Sequence, residues 1–138
     1  MRILAVDPGS KRIGLAISDP TGTIANPLAV LTHVARPLDA AAVAEIATKN
    51  QARLIIVGQS LDDDGIPTFE GRQAGRFAQA LMTQTNLPVV FWDESLTTQD
   101  ARAARIAMGV SRKNRLGHLD SIAATVLLQS YLDANSQK

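Results

Sequence analysis

The chain contains no cysteine, which excludes a disulfide framework, a thiolate zinc site and a cysteine nucleophile together. Aromatic residues are scarce at 4%, so a nucleic-acid platform of stacked rings is not expected. An excess of one charge is also lacking. Lys and Arg total 14 against 13 Asp and Glu, a net charge of +1, so no global basic field draws the chain to a polyanion. Any such partner must be held by local patches. No apolar run approaches the roughly 18 residues of a membrane span, and Met1 to Val6 lacks the charged-then-apolar plan of a signal peptide. The expectation is a cytoplasmic protein with no membrane partner.

What is present suffices for a core. Hydrophobic residues make up 46% and charged residues 20% of 138 positions, a composition that folds rather than staying disordered. Against roughly 100 to 200 residues per domain, this length predicts one domain over 1–138.

Ile3, Leu4, Ala5 and Val6 form a short apolar run that ends on Asp7 and then on the turn pair Pro8-Gly9. A strand therefore delivers a carboxylate to its end. Ile13 to Ser18 reads as the second strand of a hairpin, and a third strand is expected around Leu28 to Leu31. Val43, Ile46 and Ala47 recur at helical spacing within Pro37 to Asn50. Leu54 to Val57 is a continuous apolar run, as in a strand covered on both faces, and Gly58 ends it. Helical spacing returns at Ala74, Phe77, Ala78 and Leu81, and a second buried strand is expected over Val89 to Trp92, ending on Asp93-Glu94. Thr97 with Asp100 resembles a capping box for a helix that Gly109 would close. A basic loop over Ser111 to His118 and a last helix, roughly Leu119 to Leu132, complete the order. Helices alternating with buried strands imply crossovers and parallel pairing. The fold class is α/β with a mixed sheet, of five strands when the third run is counted.

Three acids stand out by placement: Asp7 at the end of the first strand, Glu94 just past the last strand, and Asp120 ahead of Ile122, Ala123, Ala124, Leu127 and Leu128. Singly, each has an ordinary explanation, as a turn residue, a solvated loop charge or an acid in a first helical turn. Together, if the first and last strands lie near one another, they converge at one edge of the sheet. Convergent carboxylates repel unless a cation neutralises them. Mg²⁺ and Mn²⁺ prefer carboxylate oxygen, and a pair of such ions can activate water and stabilise the leaving oxygen of a phosphodiester.

The run Asp7-Pro-Gly-Ser-Lys-Arg-Ile-Gly-Leu-Ala-Ile-Ser-Asp19 resembles the opening motif of the YqgF/RuvX family. Asp93-Glu94-Ser95-Leu96-Thr97-Thr98 is similar to its second motif, and the segment from Asp120 to Leu132 to its third. The resemblance runs nearly end to end. It implies an RNase H-like fold and a metal-dependent nuclease, acting as a Holliday junction resolvase or on the precursor of the small-subunit ribosomal RNA. It also implies that Asp7, Glu94 and Asp120 are the acidic triad that is both catalytic and metal-binding, with Mg²⁺ or Mn²⁺, two ions, as cofactor. Gln59-Ser60 departs from the family's usual Leu-Pro, and Ser95 from a common arginine.

Lys11 and Arg12 follow the first acid closely enough to hold a phosphate. Arg112, Lys113 and Arg115, with His118 and no acid among them, form the strongest local basic patch. Such a patch contacts backbone phosphates without reading sequence. Asp62, Asp63 and Asp64 read as solvated turn charges, His33 as isolated, and Phe91 and Trp92 as strand packing. The expected partner is structured RNA or branched DNA, with monomer and homodimer both open. Two other readings compete. A non-catalytic nucleic-acid-binding or ribosome-assembly module has no need to retain three acids. An actin-like or sugar-kinase ATPase shares the Asp-x-Gly strand turn but needs two such halves.

Replacing Arg112, Lys113 and Arg115 together by alanine should weaken nucleic-acid binding and flatten its salt dependence by up to about three counterions' worth of slope. A titration of affinity against salt reads this directly, and an unchanged slope would show that the patch is merely solvated.

Overall fold

In a computed structural model, the described residues are 1–94 and 112–135, with the side chains of 112–120 excepted. Five strands and three helices are found there: β1 Arg2–Pro8, β2 Arg12–Ser18, β3 Ala25–Thr32, α1 Arg36–Lys49, β4 Ala52–Gln59, α2 Phe69–Met82, β5 Val89–Asp93 and α3 Arg112–Asn135. The strands form one sheet in the order β3-β2-β1-β4-β5. β1, β2 and β3 make an antiparallel meander, while β4 lies parallel to both β1 and β5. This is the mixed five-stranded α/β sheet expected from the sequence. The first and last strands are near but not adjacent, because β4 lies between them.

Strand alternation divides the core. Leu4, Val6, Ile13, Leu15, Ile55 and Val57 face α1 and α2, where Val43, Ala47, Phe77 and Leu81 meet them. Ile3, Ala5, Ala16, Leu54 and Ile56 face α3, against Ala124, Leu127, Leu128 and Leu132. Side chains two apart share a face, so β1 and β4 are apolar on both sides, which is why both read as uninterrupted runs.

Small residues set how closely α3 lies. Ala124 is fully buried, and Ser121 and Thr125 are buried beside it, with the Thr125 hydroxyl donating to the Ser121 carbonyl at 2.7 Å. Two polar clamps fix its course across the sheet. The Gln129 amide accepts from the Ala25 N–H and donates to the Thr23 carbonyl, both at 3.0 Å. At the other edge, Trp92 Nε1 donates to Ser130 Oγ at 3.2 Å, and the Trp92 and Tyr131 rings meet edge to face, 5.2 Å apart.

Three expectations are corrected. The segment carrying Arg112, Lys113 and Arg115 is not a loop but the first turns of α3. Arg, Lys and Leu are good helix formers, and the single Gly117 costs only about 1 kcal/mol in a long helix. β5 is not a buried strand: it lies at the end of the strand order and leaves Val90 and Phe91 exposed. His33 is not isolated, since its ring meets the buried carboxylate of Asp39. The helix expected from Thr97 to Gly109 lies outside the described residues.

The β2–β3 turn is organised by Asp19. Its Oδ1 accepts from the amides of Thr23 and Ile24 at 2.8 and 2.9 Å, and its Oδ2 accepts from the Thr21 hydroxyl. The Ile24 amide first, then the Thr21 hydroxyl and the Thr23 amide, hold this carboxyl well below the ordinary carboxylate range. A depressed folded-state value means that the stabilisation is complete above the unfolded value, roughly 3.9, and is lost as pH falls toward the folded one. Asp19→Asn should therefore destabilise the protein at pH 7, with the difference from wild type shrinking once the pH drops below about 4. Urea unfolding at several pH values measures it, and a pH-independent difference would refute the ionic contribution.

Candidate active site

Asp7 is the seventh residue of the chain and lies in β1, on the face that Ile3 and Ala5 turn toward α3. Its partner in β2 is Gly14. On the other side, Val6 is paired with Val57, and continuing that register puts Asp7 beside Gly58, one strand spacing or roughly 4.8 Å away. The acid is thus flanked by two residues without side chains.

Gly58 shows what the missing side chain permits. A Cβ there would lie 2.6 Å from Glu94 Oε1 and 2.9 Å from Leu127 Cδ2. Glu94 follows β5 directly and folds its carboxylate back over β4, into the space that any other residue at 58 would fill. This brings the carboxylate of Glu94 to the α3 face of the sheet beside Asp7. Both acids are half-buried.

The third acid of the expected triad is placed by backbone alone. Met1 and Ile3 share a surface pocket with Leu132 and Asn135, at the start of β1, whereas Leu127 reaches Gly58 near the end of β4. Toward its N-terminus α3 therefore runs to the edge where Asp7 and Glu94 emerge. Position 120 lies one turn before Ala124 and about two before Leu127, on the stripe that meets the sheet. Its side chain, like those of Arg112, Lys113 and Arg115, is outside the described residues.

Lys11 and Arg12 are exposed at the β1–β2 turn, at the same end of the sheet as Asp7. That turn is tight: the Gly9 amide donates to the Arg12 carbonyl at 2.9 Å, and a Cβ on Gly9 would lie 2.6 Å from that oxygen. Asp62 is a turn former, its Oδ1 accepting from the amides of Asp64 and Ile66 at 2.9 Å. At the unusual Gln59-Ser60 pair, Gln59 Nε2 donates to the Gly71 carbonyl at 3.1 Å, and the Ser60 carbonyl accepts from the Thr68 amide at 3.0 Å. The loop uses the backbone oxygen of residue 60, which a proline would equally supply.

Sequence reasoning missed Gly58 as the residue that makes room for Glu94. Gly58 was legible only as the end of an apolar run, yet period-two counting from Leu54 and Ile56 puts it on the α3 face. Asp39 was also missed, and an acid in a first helical turn carries little signal by itself.

A family model described as "RuvX: Holliday junction resolvase" matches residues 1–134. The chain belongs to the RuvX family. Relatives named as candidate pre-16S rRNA nucleases include one from Syntrophus aciditrophicus, 37% identical over the whole chain and 92% of the relative, and one from Clostridium beijerinckii, 36% identical over the whole of both. Among solved structures, Thermus thermophilus RuvC in complex with a Holliday junction substrate is similar with a TM-score of 0.63 at 17% identity, covering 99% of this chain and 97% of RuvC. The fowlpox virus resolvase with Holliday junction DNA follows with a TM-score of 0.57 at 20% identity, covering 97% and 98%. At these identities the structural likeness shows the fold, which is that of the RuvC-like, RNase H-like resolvases.

Within the RuvX chain, the space over Gly58 yields a direct test. Gly58→Ala should push the Glu94 carboxylate by about 1 Å and lower nucleic-acid cleavage on the order of a hundredfold, while overpacking against Leu127 costs about 1–3 kcal/mol. Cleavage rates set beside urea unfolding separate the two effects. Full activity in a folded Gly58→Ala protein would sink the placement of Glu94 in the site.

Proposed function

We propose that this RuvX protein is a metal-dependent endonuclease that hydrolyses phosphodiesters in structured nucleic acid, with Asp7, Glu94 and Asp120 as its acidic centre. The observation that carries the reading is the Glu94 carboxylate folded over Gly58 beside Asp7. Two acids brought together on one face of a sheet cost electrostatic energy, and a bound cation repays it.

The donor set fits Mg²⁺ or Mn²⁺. It consists of carboxylate oxygens, with no thiolate anywhere in the chain, and hard oxygen ligands suit these ions. Among the described residues no group of three metal-ligating side chains is found; the side chain of the proposed third ligand, Asp120, is not among those described. Asp7 and Glu94 would hold the metal, and Asp120 would complete the site. When bound, a pair of such ions supplies an activated water and stabilises the leaving oxygen.

The other residues position the substrate. Lys11 and Arg12, on the turn that follows Asp7, hold a phosphate next to the cut. Arg112, Lys113 and Arg115, on the first turns of α3, hold the backbone further along. Contacts of this kind orient a strand without reading its bases. The likeness to full-length relatives named for pre-16S rRNA favours a ribosomal RNA precursor as substrate, and the setting proposed for it is the cytoplasm, with one domain over 1–138. The family description favours a four-way DNA junction, so both substrates belong in one assay.

Asp7→Asn keeps the size of the side chain and removes one charge. In Mn²⁺, cleavage of a precursor ribosomal RNA fragment or a four-way junction should fall by a hundredfold or more, about 2.7 kcal/mol of transition-state stabilisation. Binding measured in chelator should survive, and thermal stability in chelator should not fall. A structural turn acid would behave oppositely, so full activity with lowered stability would overturn the assignment, as would undiminished wild-type cleavage in chelator.

A further inference from the structure

The face of the sheet opposite α3 carries a cavity of about 700 Å³ between the first turns of α1 and α2. Pro8, Gly9 and Ser10 form one wall, so the turn that leaves Asp7 separates this cavity from the acidic centre. The floor is apolar, made by Ile13 and the ring of Phe77, both buried. Ala35 and the exposed ring of Phe69 add to the apolar lining, and the polar groups come from His33, Arg36, Asp39, Glu70 and Gln73.

These groups are arranged rather than scattered. Asp39, only 5% exposed, accepts from the Val34 amide through Oδ1 at 3.1 Å and meets His33 Nδ1 through Oδ2 at 2.5 Å. In the neutral ring, a carboxylate at Nδ1 keeps the proton on that nitrogen and leaves the Nε2 lone pair as an acceptor. Arg36 Nη2 donates to Gln73 Oε1 at 3.2 Å, which fixes the amide and leaves Gln73 Nε2 as a donor. The cavity thus offers acceptors from His33 and Glu70 beside donors from Arg36 and Gln73.

This mixture decides between ligands. A phosphate has acceptors alone and would meet the Glu70 carboxylate unfavourably. A nucleobase edge alternates donors and acceptors, and its flat face suits an apolar floor. The volume lies within the roughly 300–1,000 Å³ of small-ligand clefts. We infer that this cavity is a subsite for one unpaired nucleobase of the strand being cut, next to the scissile phosphate, with Asp39 as a positioning residue for His33. The inference rests on the proposed nuclease reading and adds to it a preference for cutting beside an unpaired nucleotide. Extruding a base costs least where it is already unpaired.

The test uses a short single-stranded RNA in which one abasic nucleotide is moved along the chain, with affinity read by fluorescence anisotropy in chelator. At one position the missing base should weaken wild-type binding about tenfold. In a Glu70→Ala, Gln73→Ala double variant the same abasic substitution should have no effect. His33→Ala should also lose the position dependence, beyond any change in its melting temperature, which is all that a purely structural role would move. Equal losses in wild type and variants, or no sensitive position, would overturn the inference. Because the assay involves no cleavage, a base-dependent signal without activity in Mn²⁺ would sink the nuclease reading alone, and cleavage without that signal would sink the subsite alone.

Discussion

The absence of a side chain at Gly58 is the constraint on which the acidic edge depends. Glu94 Oε1 and Leu127 Cδ2 both lie within 3 Å of where a Cβ would be, so the one vacancy admits a carboxylate from beyond β5 and a core side chain from α3. The Leu127 contact is apolar burial, worth roughly 1.5–3 kcal/mol for a leucine. That burial anchors a helix whose earlier turns run to the same edge. The proposed acidic edge is thereby held in place by favourable packing next to it.

The two faces of the sheet divide the work. On the α3 side, small residues at Ser121, Ala124 and Thr125 allow close approach, and the clamps at Gln129 and Trp92 leave little freedom in how the helix crosses. On the α1 and α2 side, larger strand side chains such as Leu4, Ile13 and Ile55 meet helix faces rich in alanine, and at one end a cavity lies between the helices, walled by the β1–β2 turn. That turn is shared property. Asp7 precedes it on one face, and Gly9 and Ser10 line the cavity on the other, so a strand lying over this end of the sheet meets both.

Much of the fold was legible because its signals are local. The runs at Ile3 to Val6 and Leu54 to Val57 read as strands since both faces are covered, and the helical spacing around Val43 and Phe77 followed from burial on one side. β5 misled for the same reason in reverse: Val89 to Trp92 has the composition of a buried strand, and only the strand order reveals it as an edge. The basic segment from Arg112 has the polar composition of a loop yet is helical, because Arg and Lys are good helix formers.

The family, and the three acids proposed for its site, were readable in the sequence alone. Three carboxylates in recognisable motifs, a charge balance that leaves only local basic patches, and an alternation of helix and strand are properties of the chain in one dimension. The tertiary structure decided which residues make room for that chemistry. Nothing in the order of residues ties Gly58 to Glu94, thirty-six positions later, or His33 and Asp39 to Gln73 across a cavity. Those relations depend on strand register and on which face each side chain takes, and a one-residue slip in register would send Asp7 to the other face of the sheet. Close packing turns that difference into an all-or-none choice between an assembled site and none.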